Sequence, residues 1–326
     1  MGVLSFARVG NYKRFYNDLK EISKQNKKPA WFMFSDTAVC TLFYGSGLQD
    51  YLNYRFYEKN GKERKTYVTI GYMDKAYKTL AGIEYSPFMS NKINFHKNYS
   101  KYTKRDYFSP QDSFDNFETF LSHHSEFVMK PQIGLGGTEI TKMKTSEIKD
   151  KRAFYKQIQE NEALIEELIV QEDHWGALSP NSINTLRVMT AAANGKSRLI
   201  FAAARIGSGK TIADNFHQGG QGVLVDLESG TLVGNAIDKR LNETPYSISG
   251  MKVDGYEIPY WKEICELVLE AALVNDNIHI VGWDVAITKN GPLIIEGNRG
   301  PGFDLVQVLL KKGTKYMIDD ILTEIK

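Results

Sequence analysis

Residues 282–302 read GWDVAITKNGPLIIEGNRGPG, and the reading of the chain turns on them. Val281, Trp283, Val285 and Ile287 fall at every second position, the period of a strand. Lys289-Asn290-Gly291 supplies a turn, and Leu293, Ile294 and Ile295 begin a return strand. Asp284 stands on the outgoing arm, Glu296 and Asn298 on the return arm. Three oxygen-bearing side chains on one hairpin suit a hard divalent cation, because Mg²⁺ takes oxygen ligands and commonly shares substrate phosphates with them.

Whether those groups meet depends on register. A two-residue Asn-Gly turn pairs position 285 with 296 and sends Asp284 and Glu296 to opposite faces. A three-residue loop over 289–291, with Gly291 left-handed in a bulge, pairs Asp284 with Glu296 directly, as does an equivalent bulge elsewhere in the hairpin. Asn298, two residues on, then shares their face. The bland alternative is a pair of exposed hairpin charges.

Asp284, followed twelve residues later by Glu-x-Asn and then by Pro-Gly, resembles the metal-binding end of the ATP-grasp superfamily. The words SINTLRV, DNFHQGGQGV and GWDVAIT ahead of IEGN look most like the sugar-transfer-associated ATP-grasp proteins of bacterial polysaccharide gene clusters. The likeness covers about residues 90–313. It implies an α+β chain with the ATP-grasp fold, two α+β lobes gripping ATP behind a smaller N-terminal lobe. The expected division is 1–89, a basic and aromatic-rich lobe of mixed structure; 90–172, the small lobe with a glycine loop; and 173–326, the core lobe with the metal hairpin.

A second motif, FVMKPQIGLGGTEITK over residues 127–142, places Lys130 on a strand ahead of a loop containing Gly134, Gly136 and Gly137. Glycines allow close backbone approach, so successive amides can cradle phosphate oxygens beside a lysine charge. A plain hairpin turn is the alternative. By resemblance, Lys92 is the first nucleotide-binding lysine, with Asn91 where the family commonly has Asp. Residues 144–167 read as a polar amphipathic helix leading to a strand over 168–172. By resemblance Gln171 and Glu172 lie at the adenosine-binding hinge.

Residues 185–193 and 197–205 form an expected hairpin across Asn194-Gly195. Arg187 and Arg205 interrupt its apolar arms, and a guanidinium there needs an anionic partner: phosphate, substrate carboxylate or a structural acid. Residues 207–211, GSGKT, are not a Walker loop, since Ala204 stands where its first glycine belongs. Arg299, directly after the metal ligands, is expected to hold the transferring phosphoryl group or the incoming carboxylate. Asp214, Asn215 and His217 lie in a second polar loop expected to face substrate. The remaining histidines have no metal spacing.

Composition excludes several classes. No run of about 18 apolar residues could span a membrane, and the first 15 residues lack a signal-peptide core. Two distant cysteines, Cys40 and Cys265, fit neither a disulfide framework nor a metal cluster. A cytoplasmic setting is expected. Through Arg105 there are 19 Lys and Arg against 8 Asp and Glu, although the whole chain is only +2. That asymmetry suits an anionic partner such as nucleotide phosphate, a nucleotide sugar, an acidic glycan or a membrane surface. No nucleic-acid signature accompanies it.

The resemblance implies an ATP-dependent carboxylate–amine ligase using ATP and Mg²⁺ (or Mn²⁺), acting through an acyl phosphate. Its substrates would be a small carboxylate and an amine, such as an amino acid, amino sugar or nucleotide sugar, in cell-surface polysaccharide modification. A kinase of hydroxyl groups on the same fold, and a non-catalytic nucleotide-sugar or glycan binder, remain the alternatives. Peripheral membrane association stays open.

Overall fold

From Tyr12 onward the first quarter of the chain is built of helices, because its apolar residues recur at three and four positions rather than two. The computed structural model describes residues 12–133, 140–209 and 219–325. The chain divides into two units, Met1–Ile83 with Gly302–Lys326, and Glu84–Pro301. The boundary expected at 172/173 falls inside the second.

In the first unit the helix Tyr12–Asn26 buries Phe15 and Leu19 on one face. The helix Ala30–Tyr44 starts after Pro29 and stops at Gly45, which takes the left-handed φ of 63° open to glycine. Asn60-Gly61, which reads as a turn, instead starts the short helix Gly61–Arg64. The Asn60 side chain accepts from the Lys62 and Glu63 amides at 2.9 and 3.1 Å, and the Glu63 carboxylate accepts from the Asn60 amide at 2.8 Å. The expected mixed lobe is therefore corrected: no strand precedes Tyr107 among the described residues. Tyr51, Tyr54, Tyr57 and Tyr67 are buried with Phe56 and Met33, so the tyrosine density serves a core.

The end of the chain belongs to this unit. Gln307 is buried in the helix Asp304–Leu310. Its Oε1 accepts from the Val68 amide at 2.8 Å and its Nε2 donates to the Val68 carbonyl at 3.0 Å. A side-chain amide thus satisfies both polar groups of one buried backbone residue, which would otherwise cost about 1–3 kcal/mol each.

The second unit carries two antiparallel sheets. The smaller comprises β1 (Tyr107–Phe108), β2 (Glu126–Pro131), β3 (Thr141–Lys144) and β4 (Ala163–Glu167), in the order β1-β4-β2-β3. Phe117, Phe120 and Leu121 of the helix Phe114–His123 pack with Phe127, Phe154 and Ile165 against it. Ser113 caps that helix, its hydroxyl accepting from the Asn116 amide at 3.3 Å. The expected helix over 144–167 is shorter, Lys151–Glu160, capped by Asp150. Glu162 then turns the chain with a φ of 47°, and the strand comes at Ala163–Glu167 rather than 168–172.

The larger sheet comprises β5 (Thr185–Ala193), β6 (Lys196–Ile206), β7 (Gln221–Val225), β8 (Leu232–Asp238), β9 (Glu243–Thr244), β10 (Ile280–Thr288) and β11 (Gly291–Asn298). Their order is β11-β10-β5-β6-β7-β8-β9. The β5–β6 hairpin turns at Asn194-Gly195 with both φ angles positive, as its twist requires. The helix Trp261–Ala272 buries Ile264, Leu267, Val268 and Ala271 while packing on this sheet. No helix among the described residues is long and apolar enough to cross a membrane.

Candidate active site

The β10–β11 register brings the carboxylates together. Thr288 pairs with Gly291, Ile287 with Pro292 and Val285 with Ile294, so the turn itself holds only Lys289 and Asn290. Continued regularly, that register would set Asp284 opposite Ile295. Instead the pairing slips by one residue between Val285 and Asp284, and Asp284 faces Glu296. Ile295 is the extra residue, so the required bulge lies in the return strand and not at the turn.

Asp284 also pairs with Arg187 of β5, and Arg205 of β6 lies opposite Thr185, two residues from Arg187. Alternation therefore puts Arg187, Arg205, Asp284, Glu296 and Asn298 on one face of the sheet. Arg187 donates from Nε to Asp284 Oδ1 at 2.6 Å and from Nη2 to Oδ2 at 3.2 Å; Arg205 Nη1 reaches Oδ2 at 2.9 Å. Asn298 Nδ2 lies 3.4 Å from Glu296 Oε1 and from the Gly282 carbonyl. Gly282 opposite Asn298 leaves room for the arginine, since a Cβ there would lie 2.7 Å from Pro301 Cβ and 3.3 Å from Arg187 Cδ.

The two carboxyl groups are shifted in opposite directions from their ordinary ranges. Burial works to raise Asp284, but Arg187 and Arg205 outweigh it and hold the group below the ordinary aspartate range. Burial and then the Asp284 charge push Glu296 upward, with Arg187 and Lys130 opposing. A close carboxylate pair, Asp284 buried and Glu296 half-buried, with one member resisting ionisation is a donor set that a divalent cation would relieve. Among the described residues no group of three or more His, Cys, Asp or Glu could hold a metal; the group here is two carboxylates beside the Asn298 amide.

Lys130 on β2 is buried, and its Nζ lies 2.6 Å from Glu166 Oε1 of β4. Arg105 Nη1 binds Glu166 Oε2 at 2.8 Å and His96 Nε2 lies 2.6 Å from Oε1. Burial opposes the Glu166 charge, yet Arg105, Lys130 and His96 together hold its carboxyl well below the ordinary range. Burial lowers Lys130 against the pull of Glu166, with Arg105 and Lys92 adding to the lowering. Burial likewise lowers His96. Arg105 Nε and Nη2 and His96 Nδ1 have no hydrogen-bond partner among the described residues.

The model of the sugar-transfer associated ATP-grasp family matches residues 55–321. The chain belongs to that family. Its mixed helix and antiparallel sheet architecture is the ATP-grasp fold. No curated protein matches the chain. Solved structures that resemble it include the ATP-grasp ligase PsnB with a phosphomimetic variant of its minimal precursor, Mg and ADP, at 13% identity and TM-score 0.43 over 76% of this chain and 61% of that one. N5-carboxyaminoimidazole ribonucleotide synthetase from Thermotoga maritima aligns at 14% identity and TM-score 0.43 over 73% and 50%. The D-alanine–D-alanine ligase of Coxiella burnetii aligns at 13% identity and TM-score 0.43 over 74% and 61%. The chain thus spans half to about three fifths of the length of these three structures.

The other expected residues of this ATP-grasp chain fall as follows. Lys92 opens the helix Lys92–Asn98, capped by Asn91, and its amide donates to the Gln132 carbonyl at 3.0 Å. Gln171 binds within the chain, its Nε2 to the Ser182 carbonyl at 2.8 Å and its Oε1 from the Asn184 amide at 2.6 Å. Glu172 caps the helix Asp173–Gly176, accepting from the Trp175 amide at 2.7 Å. Arg299 follows β11 and is half-buried. Gly134, Gly136, Gly137, Asp214, Asn215 and His217 lie outside the described residues. Sequence reasoning missed Glu166, Arg105 and His96. The available signal was a carboxylate directly after the apolar run Ala163–Ile165, hidden by reading that segment as helix.

Proposed function

We propose that this protein is an ATP-dependent carboxylate–amine ligase. The supporting observation is the Ile295 bulge, which makes Asp284 and Glu296 cross-strand neighbours on the face that also carries Arg187, Arg205 and Asn298. Asp284, Glu296 and Asn298 would hold Mg²⁺ or Mn²⁺, which when bound supplies charge neutralisation at ATP phosphates.

In the proposed reaction, a substrate carboxylate oxygen bonds to the γ-phosphorus as the bond to ADP breaks. An amine nitrogen then attacks the acyl carbon, phosphate leaves, and the amine proton passes to solvent. Two anions must be aligned and neutralised, and no protein nucleophile is needed. Lys130 and Lys92 are assigned to the ATP phosphates, and Gly134, Gly136 and Gly137 to their cradle. Gln171 and Glu172 are assigned to the adenosine side through the hinge that they hold. Arg187, Arg205 and Arg299 are assigned to the transferring phosphoryl and the incoming carboxylate, Asp214, Asn215 and His217 to the substrate. The sugar-transfer association in the family description supports a sugar-borne carboxylate or amine, and polysaccharide modification is the setting assigned to it.

The test incubates the protein with ATP, Mg²⁺ and a panel of amino acids, amino sugars and nucleotide sugars. ADP release that requires both a carboxylate and an amine is the expected result. ADP with a phosphorylated alcohol would make it a kinase, and no turnover with retained ATP binding would make it a binding module.

A further inference from the structure

The outer face of the helix Ala30–Tyr44 is uncovered. Met33, Thr37 and Cys40 point into the core of their unit. Trp31, Phe34, Leu42 and Phe43 are 73, 58, 63 and 77% exposed, with Phe32 and Val39 exposed beside them. At about 100° per residue these six side chains span roughly half the helix circumference, with Trp31 and Leu42 near its middle and Phe34 and Phe43 at its edges, opposite the buried Met33, Thr37 and Cys40. The helix has one charged residue, Asp36, and Arg64 binds both its oxygens at 2.8 and 2.7 Å. A helix apolar all round is ordinarily covered all round, and a patch of this kind marks a contact surface.

The charge around this face says what it would meet. Lys24, Lys27 and Lys28 lead into the helix. At its other end Leu42 and Phe43 help to line a cavity of about 460 Å³, together with Arg64, Lys65, Lys75 and Lys315. No carboxylate lines that cavity among the described residues. Residues 1–83 carry 14 Lys and Arg against 7 Asp and Glu.

We propose that this face docks on an anionic lipid bilayer. Trp31, Phe34, Leu42 and Phe43 enter the boundary between headgroups and acyl chains, and Lys65, Lys75 and Lys315 receive lipid phosphates, Arg64 being paired with Asp36. Fifteen residues make a helix of about 22 Å, short of the roughly 30 Å hydrocarbon core, so it lies along the surface and does not span it. A tryptophan at one end suits the interface. A second copy of the chain is disfavoured as the occupant, because a symmetric contact would bring like-charged lysine clusters together. The inference is independent of the ligase reading.

The full-length protein is sedimented with vesicles of phosphatidylcholine alone and of phosphatidylcholine mixed with phosphatidylglycerol, with light scattering on the same samples. Binding to the mixed vesicles is expected, at least about thirtyfold weaker for the Lys65→Glu/Lys75→Glu double variant, which removes two lysine charges and adds two opposing ones. The variant Trp31→Ser/Phe34→Ser/Leu42→Ser/Phe43→Ser should stay in the supernatant with unchanged circular dichroism and ATP affinity, since all four sites are exposed. Wild-type protein remaining in the supernatant with both vesicle types overturns the proposal, as does undiminished binding by the four-serine variant. A dimer that the serine variant dissociates assigns the face to a second copy. Binding that begins only when residues 1–11 are deleted assigns it to that segment.

Discussion

Arg187 and Asp284 are cross-strand neighbours on β5 and β10, and the guanidinium takes both carboxylate oxygens, at 2.6 and 3.2 Å. With Arg205 on the second oxygen, the Asp284 charge is balanced twice over in the chain alone. Glu296, facing it, has the opposite situation: burial and a like charge. The two members of the proposed metal pair therefore contribute differently to the fold.

Asp284→Asn is expected to cost about 3 kcal/mol, because it leaves two largely buried guanidiniums without their counter-charge. Glu296→Gln should cost less than about 1 kcal/mol, since it removes a charge that burial and Asp284 both oppose. Both variants should lose ADP formation. Urea unfolding of the pair, read beside ADP release, checks this; equal stability losses would refute the asymmetry.

The same asymmetry predicts a pH dependence. The Glu296 carboxyl is raised in the folded chain, so its contribution to stability is fully present below its unfolded pKa, about 4.3, and is lost as pH rises through the higher folded value. Mg²⁺ should offset that loss, so its stabilising effect grows upward from that window. Asp284 and Glu166 act with the opposite sign, losing their contribution as pH falls. The Glu296 share is therefore the difference between wild type and Glu296→Gln. Melting temperatures against pH for both proteins, with and without Mg²⁺, give that difference; a Mg²⁺ effect of equal size in the two proteins would argue against metal at this pair.

Much of this arrangement is written locally in the chain. Alternation over 281–287 and the Asn194-Gly195 turn define strands that the structure contains, and the need for one extra residue in the β10–β11 hairpin follows from counting alone. The place of that residue does not, because Ile295 sits in an apolar triplet whose members look equivalent until the sheet face is known. Glu166 is hidden for a different reason. Its strand is short and follows the polar helix Lys151–Glu160, so the sequence reads as one helix running on through it. The tie between Gln307 and Val68 joins residues 239 apart, a distance at which local pattern says nothing.

Lys130→Met should weaken ATP binding more than tenfold, the loss of one charge-assisted contact, about 1.5–3 kcal/mol. Glu166 keeps Arg105 and His96 in this variant, so the fold should survive with a loss of about 1–3 kcal/mol. Calorimetry with ATP and thermal unfolding separate the two effects. Unchanged affinity in a folded variant would remove Lys130 from the nucleotide site.

Gly282→Ala tests whether Arg187 must stay where it is. The added methyl would lie 2.7 Å from Pro301 Cβ and 3.3 Å from Arg187 Cδ, so one of them has to move. The proline ring is the stiffer neighbour and the arginine stem the more adaptable, so the guanidinium should shift off Asp284. Overpacking of this kind costs about 1–3 kcal/mol. If Arg187 holds the incoming carboxylate, kcat should fall and KM for the carboxylate rise, while ATP affinity by calorimetry changes little. The cavity-making variant Arg187→Ala should give the same kinetic pattern by a different route, losing the guanidinium outright. Full activity in a folded Gly282→Ala protein would show that the Arg187–Asp284 geometry is structural and that the carboxylate is held elsewhere.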